Sequence, residues 1–469
     1  LLKAKPPALY RKTNFDLIDI GNFEDDLPRV AECDWIIEVV KEELDVKRQI
    51  LEKVSRFRRP GSIVSTNTSG IPLGQISTVM DAEMREHFLG THFFNPPRYM
   101  KLVEVIATPD TRSDVVDTIS CFLEDVLGKG VVFAKDTPNF IANRILTFYC
   151  QYIIRNFQRF GLTIPDVDVL TGPAIGHAPS ATFRTLDLVG LDTFLHVMRN
   201  VYSNCPSDEQ RELFQPVSWM NEMIQRDFLG EKKGQGFYKR SGERDERGKS
   251  IILSLDLTSM EYALQKARDF ECLKKSRKGL PAAEKYRILY FGEDEGAQFL
   301  WDVFAQTAIY TGNRIPEIAD DIVNIDNAIK WGFNWTHGIF ETWDMLGVRD
   351  VCDRMEKEGL TPPPIANELL SSGKQSFYKL HEGKTFYFDL SKKDYSEVLE
   401  NPKVLRLQNL KTSQARIQET SSCSIVDLGD GIICAEFHSK MNTIDPDILT
   451  SLRLATDWVN EGKYDGIVI

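Results

Sequence analysis

Short apolar runs alternate with charged stretches of helical period through the amino-terminal part of the chain. Residues 15–20, 34–40 and 61–66 read as strands. The run 34–40 (Asp-Trp-Ile-Ile-Glu-Val-Val) is mostly apolar, as a strand covered on both faces of a parallel sheet must be. Residues 42–57 carry Leu44, Ile50, Leu51 and Val54 near helical spacing, so one face of a helix packs on that sheet. Strand–helix–strand at this spacing is a βαβ unit, and ligands of such sheets sit at the strands' carboxyl ends. Two more strands, 85–94 and 101–106, flank Asn95-Pro96-Pro97, which must leave the sheet because proline has no N–H for the ladder.

After the apolar run 131–133 the pattern turns helical. The stretch 137–160 suits one long helix starting at Pro138, a favourable first-turn position. Shorter helices follow over 166–198, broken at Gly172-Pro173, Gly176 and Pro179, and the charged stretch 241–250 reads as a solvated loop. An internal repeat then appears. Phe183-Arg-Thr-Leu-Asp-Leu-Val-Gly-Leu-Asp192 parallels Phe340-Glu-Thr-Trp-Asp-Met-Leu-Gly-Val-Arg349, and Asp168…Gly176 parallels Asp326…Gly332 with a short gap. The second copy reads as a structural duplicate that completes the core or interface of the first. Lys-rich residues 379–412 read as a linker with one short strand at 385–390. Residues 423–437 alternate around Gly429-Asp430-Gly431, a hairpin signal, followed by a helix over 446–461 and a strand over 464–469.

Composition narrows the function class. A length of 469 residues suits about three domains. The net charge of −12 argues against bulk nucleic-acid binding and against adhesion to anionic membranes. No apolar run is long enough for a membrane span. Eight scattered cysteines, with no C-x-x-C pair, fit reduced thiols in a cytoplasm better than disulfides or a zinc site. The opening Leu-Leu-Lys-Ala-Lys-Pro-Pro has no apolar core for a signal peptide and looks like the tail of a helix.

The candidate chemistry sits in residues 91–106. Period two puts Glu104 on the strand face opposite Val103 and Val105, inside a run where an unpaired carboxylate is costly. His92, ending the preceding strand, is its natural partner if the Pro-Pro loop folds one strand beside the other. A His held by a carboxylate is an oriented general base near neutral pH. Read alone, such a pair is more often a core His with a stray acid. Its company changes that reading: strand 61–66 runs into Asn67-Thr68-Ser69, and Lys135-Asp-Thr-Pro-Asn-Phe-Ile-Ala-Asn143-Arg144 places an amide in the first turns of a helix.

Together, Asn-Thr-Ser, His-Phe-Phe-Asn-Pro, Leu-Val-Glu-Val-Ile and Asp-Thr-Pro-x-Phe-x-x-Asn-Arg closely resemble the 3-hydroxyacyl-CoA dehydrogenase family. The resemblance implies catalytic His92, Glu104, Ser69 and Asn143, with Ser69 and Asn143 on the substrate. It implies NAD contacts at Glu42, Lys47, Ser69 and Asn95, although Glu42 and Lys47 read alone are an exposed helix face. The implied reaction is oxidation of L-3-hydroxyacyl-CoA to 3-oxoacyl-CoA in fatty-acid β-oxidation. An acyl-CoA thioester would be the substrate, and a homodimer through the helical domains is a possible assembly. The fingerprint G-x-G-x-x-G occurs nowhere in the 469 residues. A chain truncated at its amino terminus, binding NAD poorly by itself, is therefore expected.

The carboxyl-terminal stretch resembles the opening of the enoyl-CoA hydratase (crotonase) fold, which implies a hydratase activity in a complete protein. Nothing catalytic is assigned in this piece: Lys440 and Asn442 are candidates for the border of a CoA site, and Asp427, Asp430 and Glu436 read as solvent-facing strand and turn residues. The expected fold class is α/β, an incomplete Rossmann-type sheet, followed by duplicated all-α modules and the start of a crotonase-like fold. The expected domains are 1–134 (NAD-binding, without its first βαβ unit), 135–240 (helical), 241–292 (connecting), 293–378 (second helical repeat), 379–420 (linker) and 421–469 (crotonase-like). Two alternatives remain: a single-activity 3-hydroxybutyryl-CoA dehydrogenase, or a non-catalytic acyl-CoA-binding scaffold.

Overall fold

Five of the apolar runs find partners in one sheet. The strands β1 (Trp35–Glu38), β2 (Ile63–Thr66), β3 (Phe88–Phe93), β4 (Leu102–Ala107) and β5 (Gly130–Ala134) lie side by side in that order. The pairs β1/β2, β2/β3 and β4/β5 are parallel, and β3/β4 is antiparallel, with His92 directly opposite Glu104. On one face, Leu89, Val103, Val105 and Val131 pack against Val115 and Ile119 of a helix (Ser113–Cys121). The helix α1 (Leu44–Phe57) follows β1 as the period predicts. The computed structural model describes residues 2–4, 6–276, 279–399, 401–412 and 415–469. It divides into two compact units, Leu1–Ser371 and Ser372–Ile469.

Three boundaries differ from expectation. Residues 15–20 form no strand: Lys12–Leu17 is a 3-10 turn, and Leu17 and Ile20 are exposed. Among the described residues nothing pairs with the outer edge of β1, and an apolar run without a neighbour to take its backbone hydrogen bonds does not stay extended. The strand expected over 85–94 starts only at Phe88, because Ala82–Glu86 is a short helix whose Met84 N–H is capped by the Asp81 carboxylate. The long helix expected from Pro138 starts at Ala142 (α2, Ala142–Asn156), after a bend with Asn139 and Phe140 at positive φ.

The expected loop 241–250 is the tip of a hairpin, with residues 241–244 and 250 in strands and 245–249 the turn between them. Strands β6 (Tyr238–Arg244), β7 (Ser250–Asp256) and β8 (Glu261–Ala263) form an antiparallel meander, its charged side chains outward, so polarity marks its exposed face and not a lack of structure.

The repeat is real in three dimensions. In the first copy α3 (Ile164–Leu170) leads to α4 (Phe183–Val189) and α5 (Leu191–Asn204). In the second, α6 (Glu295–Asn313) precedes α7 (Ile322–Phe333), α8 (Ile339–Leu346) and α9 (Val348–Lys357). Asp168 accepts the N–H groups of Phe183 and Arg184 at 2.7 and 3.1 Å, and Asp326 accepts those of the equivalent Phe340 and Glu341 at 3.1 and 3.0 Å. Each aspartate thus caps the next helix of its copy. Gly190 and Gly347 turn the chain at φ 94° and 92°, where a side chain would be strained.

Burial pushes the Asp168 carboxyl up to about 6, against the pull of the amides and of the Tyr238 hydroxyl. An acid raised in the folded state contributes stability that is full below the unfolded value, about 4, and is lost as pH rises through its folded value. Asp168→Asn cannot ionise, so its stability deficit should be larger near about pH 4.5 and shrink by about pH 7. Urea melts of both proteins at the two pH values check this.

The second copy packs against the sheet. The Phe133 N–H donates to Asn324 Oδ1 at 2.7 Å, and a Cβ on Gly130 would come within 2.3 Å of the Trp331 ring, so only glycine permits that approach. The second copy also meets the first module, where Tyr310 packs with Phe148, Val201 and Phe214 in one buried cluster, as expected of a duplicate that completes the first module's core or interface.

In the second unit the expected linker is largely ordered. Strands β9 (Tyr378–His381), β10 (Lys384–Asp389) and β11 (Asp394–Glu397) form an antiparallel meander, so the repeat ends near Ser371 rather than at residue 378. Phe388 is its buried anchor, where a Lys-rich outer face had read as a linker. Glu400, Ser413 and Gln414 of that stretch lie outside the described residues. A separate sheet holds β12 (Arg416–Glu419), β13 (Cys423–Gly429), β14 (Ile432–Phe437) and β15 (Gly466–Val468), with β13/β14 the expected hairpin and β14/β15 parallel. A helix (Pro446–Asn460) covers it through Ile448 and Ala455. Among the described residues no helix is long and apolar enough to cross a membrane.

Candidate active site

Strand register puts His92 and Glu104 side by side on the face turned away from Val103 and Val105. His92 Nδ1 lies 2.6 Å from Glu104 Oε2, and both side chains are buried. The other oxygen, Oε1, accepts the Ile141 and Ala142 N–H groups at 3.0 and 2.8 Å. These are orphan donors at the start of α2, so one carboxylate satisfies the helix and orients the imidazole. A carboxylate needs a donor, which assigns the proton to Nδ1 and leaves Nε2 as the basic lone pair. Nε2 has no hydrogen-bond partner among the described residues. The ring lies between Phe94 and Phe140, with centroids 4.6 and 5.7 Å away.

The Asn67-Thr68-Ser69-Gly70 turn is fastened beside it. Asn67 Oδ1 accepts the Phe93 N–H at 2.9 Å, one residue beyond His92. Glu42 Oε1 accepts the Thr68 hydroxyl at 2.5 Å and the Ser69 and Gly70 N–H groups at 2.8 and 3.2 Å. On the far side, Asn200 Nδ2 bridges Gly70 O (3.0 Å) and Asn139 Oδ1 (2.7 Å), tying the turn to the bend before α2. The Ser69 hydroxyl and the Asn143 carboxamide, the latter in the first turn of α2, have no side-chain hydrogen bond among the described residues. They remain open to a ligand.

The match to known proteins runs across both parts. Residues 4–137 match the family profile "3-hydroxyacyl-CoA dehydrogenase, NAD binding domain", and residues 140–240 match "3-hydroxyacyl-CoA dehydrogenase, C-terminal domain". A "Probable 3-hydroxyacyl-CoA dehydrogenase" of Bacillus subtilis is 42% identical over all 469 residues. One of the same name in Deinococcus radiodurans is 43% identical over 248 residues, 53% of this chain and 70% of that protein. The chain belongs to the 3-hydroxyacyl-CoA dehydrogenase family. It spans 58% of the length of the Bacillus relative. A 3-hydroxybutyryl-CoA dehydrogenase structure from Escherichia coli K12 shares the fold over 74% of this chain and 84% of that one, with a TM-score of 0.56 at 23% identity. The dinucleotide of the family's amino-terminal domain is NAD.

Against this dehydrogenase background, the structure brings His92, Glu104 and the backbone carrying Ser69 and Asn143 together. Asn95 is exposed on the loop after β3. Lys47 is not on an exposed helix face: it is 1% exposed and points under the sheet's carboxyl edge, where Glu38 and Glu42 hold it. Helical period alone misplaced it because the partner that pulls it in lies on β1. Glu42 is half-buried in the same group. Burial pushes its carboxyl upward, but Thr68, the Lys47 charge and Ser69 outweigh that and hold it below the ordinary range.

Three contributors escaped sequence reasoning. Glu38 is a lone acid in an apolar strand, the very signal that identified Glu104. Asn67 serves as a clamp through its side chain. The third is α7 of the second repeat: Phe333 meets Phe94 at 5.8 Å, and a Cβ on Gly332 would stand 3.5 Å from Phe94 and 3.7 Å from Ala142. In the second unit, Lys440 and Asn442 lie in an exposed 3-10 turn.

Proposed function

We propose that this chain carries the acid–base centre for NAD-dependent oxidation of an L-3-hydroxyacyl-CoA to the 3-oxoacyl-CoA, a step of fatty-acid β-oxidation. The observation that carries the reading is the buried His92–Glu104 pair with its free Nε2. His92 Nε2 takes the proton of the substrate hydroxyl, and Glu104 stabilises the imidazolium that results. The Ser69 hydroxyl and the Asn143 carboxamide hold the hydroxyl or thioester carbonyl oxygen in a reactive orientation. Unpartnered polar groups converging at the carboxyl ends of β2 and β3 fit the reacting end of a nicotinamide dinucleotide. When bound, NAD+ supplies the hydride acceptor. The turn at Ser69, Glu42 and Asn95 would hold it, with Lys47 behind.

The test is NADH formation from an L-3-hydroxyacyl-CoA. It is run on the chain alone and on the chain with a glycine-rich βαβ unit supplied ahead of Leu1. Turnover in either form supports the reading, and its absence in both removes it. Glu104→Gln in the active form should slow turnover and also lower stability by about 1–3 kcal/mol, since one amide oxygen cannot serve His92 and two helix N–H groups together. Parallel rate and urea measurements check it. A rate loss with unchanged stability would contradict the capping role.

The order hairpin, helix, parallel strand in the second unit supports the further reading of a crotonase-like opening. Enoyl-CoA hydratase activity is proposed for a protein that carries this fold in full, and hydration of crotonyl-CoA by that protein is its test.

A further inference from the structure

The turn that carries Ser69 is held at both of its ends. Asn67 fastens the front to β3, and a ladder of amides from α5 fastens the back. Asn200 Nδ2 donates to Gly70 O at 3.0 Å and to Asn139 Oδ1 at 2.7 Å, and Asn139 Nδ2 donates to Val197 O at 3.0 Å. Gly70 O and Val197 O can only accept, which fixes the orientation of both carboxamides. A flip of either would set two acceptors face to face. Gly70 is not at positive φ, so its backbone does not call for glycine. A Cβ there would stand 2.3 Å from both Asn139 Oδ1 and Asn200 Nδ2, so the close approach of the ladder keeps the position bare.

The ladder crosses between parts of the molecule. Gly70 lies in the NAD-binding part of the family match and Asn200 in its carboxyl-terminal part. Asn139 stands two residues before Ile141, whose N–H is held by Glu104 of the dyad. Beyond the turn the chain has a separate fastening, because Asp136 accepts the Leu73 and Gly74 N–H groups at 2.6 and 2.8 Å. Loss of Asn200 therefore frees the turn without undoing its surroundings.

We infer that Asn200 is a positioning residue that acts through Ser69: its amide sets where the Ser69 hydroxyl stands relative to His92 and Asn143, and so how the substrate oxygen is presented to the base. The inference rests on the dehydrogenase reading above. One oxygen must be in reach of His92 Nε2 and of the Ser69 hydroxyl together. A misplacement of about 1 Å in such a geometry costs on the order of 10² in rate.

In the form of the chain that turns over, Asn200→Ala should lower kcat/KM for the acyl-CoA roughly ten- to a hundredfold. In a Ser69→Ala background the same change should cost less than about twofold, because the group it positions is gone. Gly70→Ala, which pushes both amides away with Asn200 intact, should reproduce the loss and add little to it in Asn200→Ala. Asn200→Asp keeps the shape but sets a carboxylate against two acceptors. It should be at least as slow as Asn200→Ala, an order that a packing role would reverse. Equal losses from Asn200→Ala in both Ser69 backgrounds would mean that Asn200 acts on the fold at large, and would overturn the inference.

A second measurement needs no turnover. Amide hydrogen exchange on the 469-residue chain should quicken severalfold over residues 68–70 in Asn200→Ala and stay as in wild type in β3 and β4. Unchanged exchange at the turn would also overturn the inference. Full turnover by Ser69→Ala would remove it while leaving the His92 reading intact. Absence of turnover in both forms of the wild-type chain would remove both.

Discussion

His92→Ala lowers kcat by on the order of 10²–10⁴ in the turnover-competent form, the usual contribution of a general base. The size of the effect follows from what is left behind. Alanine removes the only basic lone pair that the dyad presents, and water entering the gap finds a buried site walled by Phe94 and Phe140. Glu104 keeps its two amide donors from α2, so the fold around it survives and substrate affinity changes little. The loss therefore belongs to kcat with KM nearly constant, the signature of an interaction made in the transition state. Steady-state rates of NADH formation for wild type and variant decide the matter. A variant that kept its kcat would mean that another group takes the proton.

Arg144→Met destabilises the protein by about 3–5 kcal/mol, the cost of leaving a buried charge without its partner. Arg144 is fully buried, one residue beyond Asn143 on α2. Its Nε donates to the Tyr310 hydroxyl at 2.6 Å, one terminal nitrogen donates to Cys205 Sγ at 2.9 Å, and the other reaches Asp208 and Glu317. Tyr310 in turn donates to Asp208 at 2.9 Å and stacks on Phe148 at 3.9 Å. Methionine fills much of the space but leaves Asp208, whose side chain is fully buried, with Arg314 as its one remaining cation beside the Tyr310 hydroxyl and the Gln210 N–H, among the described residues. Because Tyr310, Arg314 and Glu317 belong to the second repeat, the substitution also loosens the contact between the copies. Urea denaturation measures it, and a loss under about 1 kcal/mol would show that Arg314 alone neutralises Asp208.

Much of the site was legible in the sequence, for a reason particular to strands. Side chains alternate with period two, so an acid in Leu-Val-Glu-Val-Ile must either face water or find a buried partner, and the His across a proline loop was the partner at hand. The repeat was legible because its aspartate and glycine recur at matching places. The aspartate accepts the amides of the following helix, and the glycine turns the chain at an angle that favours glycine. Family resemblance was legible because each of its motifs is a few consecutive residues long.

What the sequence could not show depended on groups distant along the chain. Helix α2 begins at Ala142 and not at Pro138 because the carboxylate that caps it comes from β4, 37 residues before Ile141. Lys47 is buried because Glu38, nine residues earlier on β1, offers a counter-charge that helical periodicity does not register. The polar stretches at 241–250 and 379–412 contain paired strands because each strand finds a neighbour, and a single strand's sequence does not name its neighbour. The run 15–20, mostly apolar, finds none among the described residues, and 16–20 stay exposed. Local period and backbone angle are properties of a few consecutive residues and are written there. Pairing, capping from afar and neutralisation of buried charge are properties of two segments at once, and only the tertiary structure decides which two segments meet.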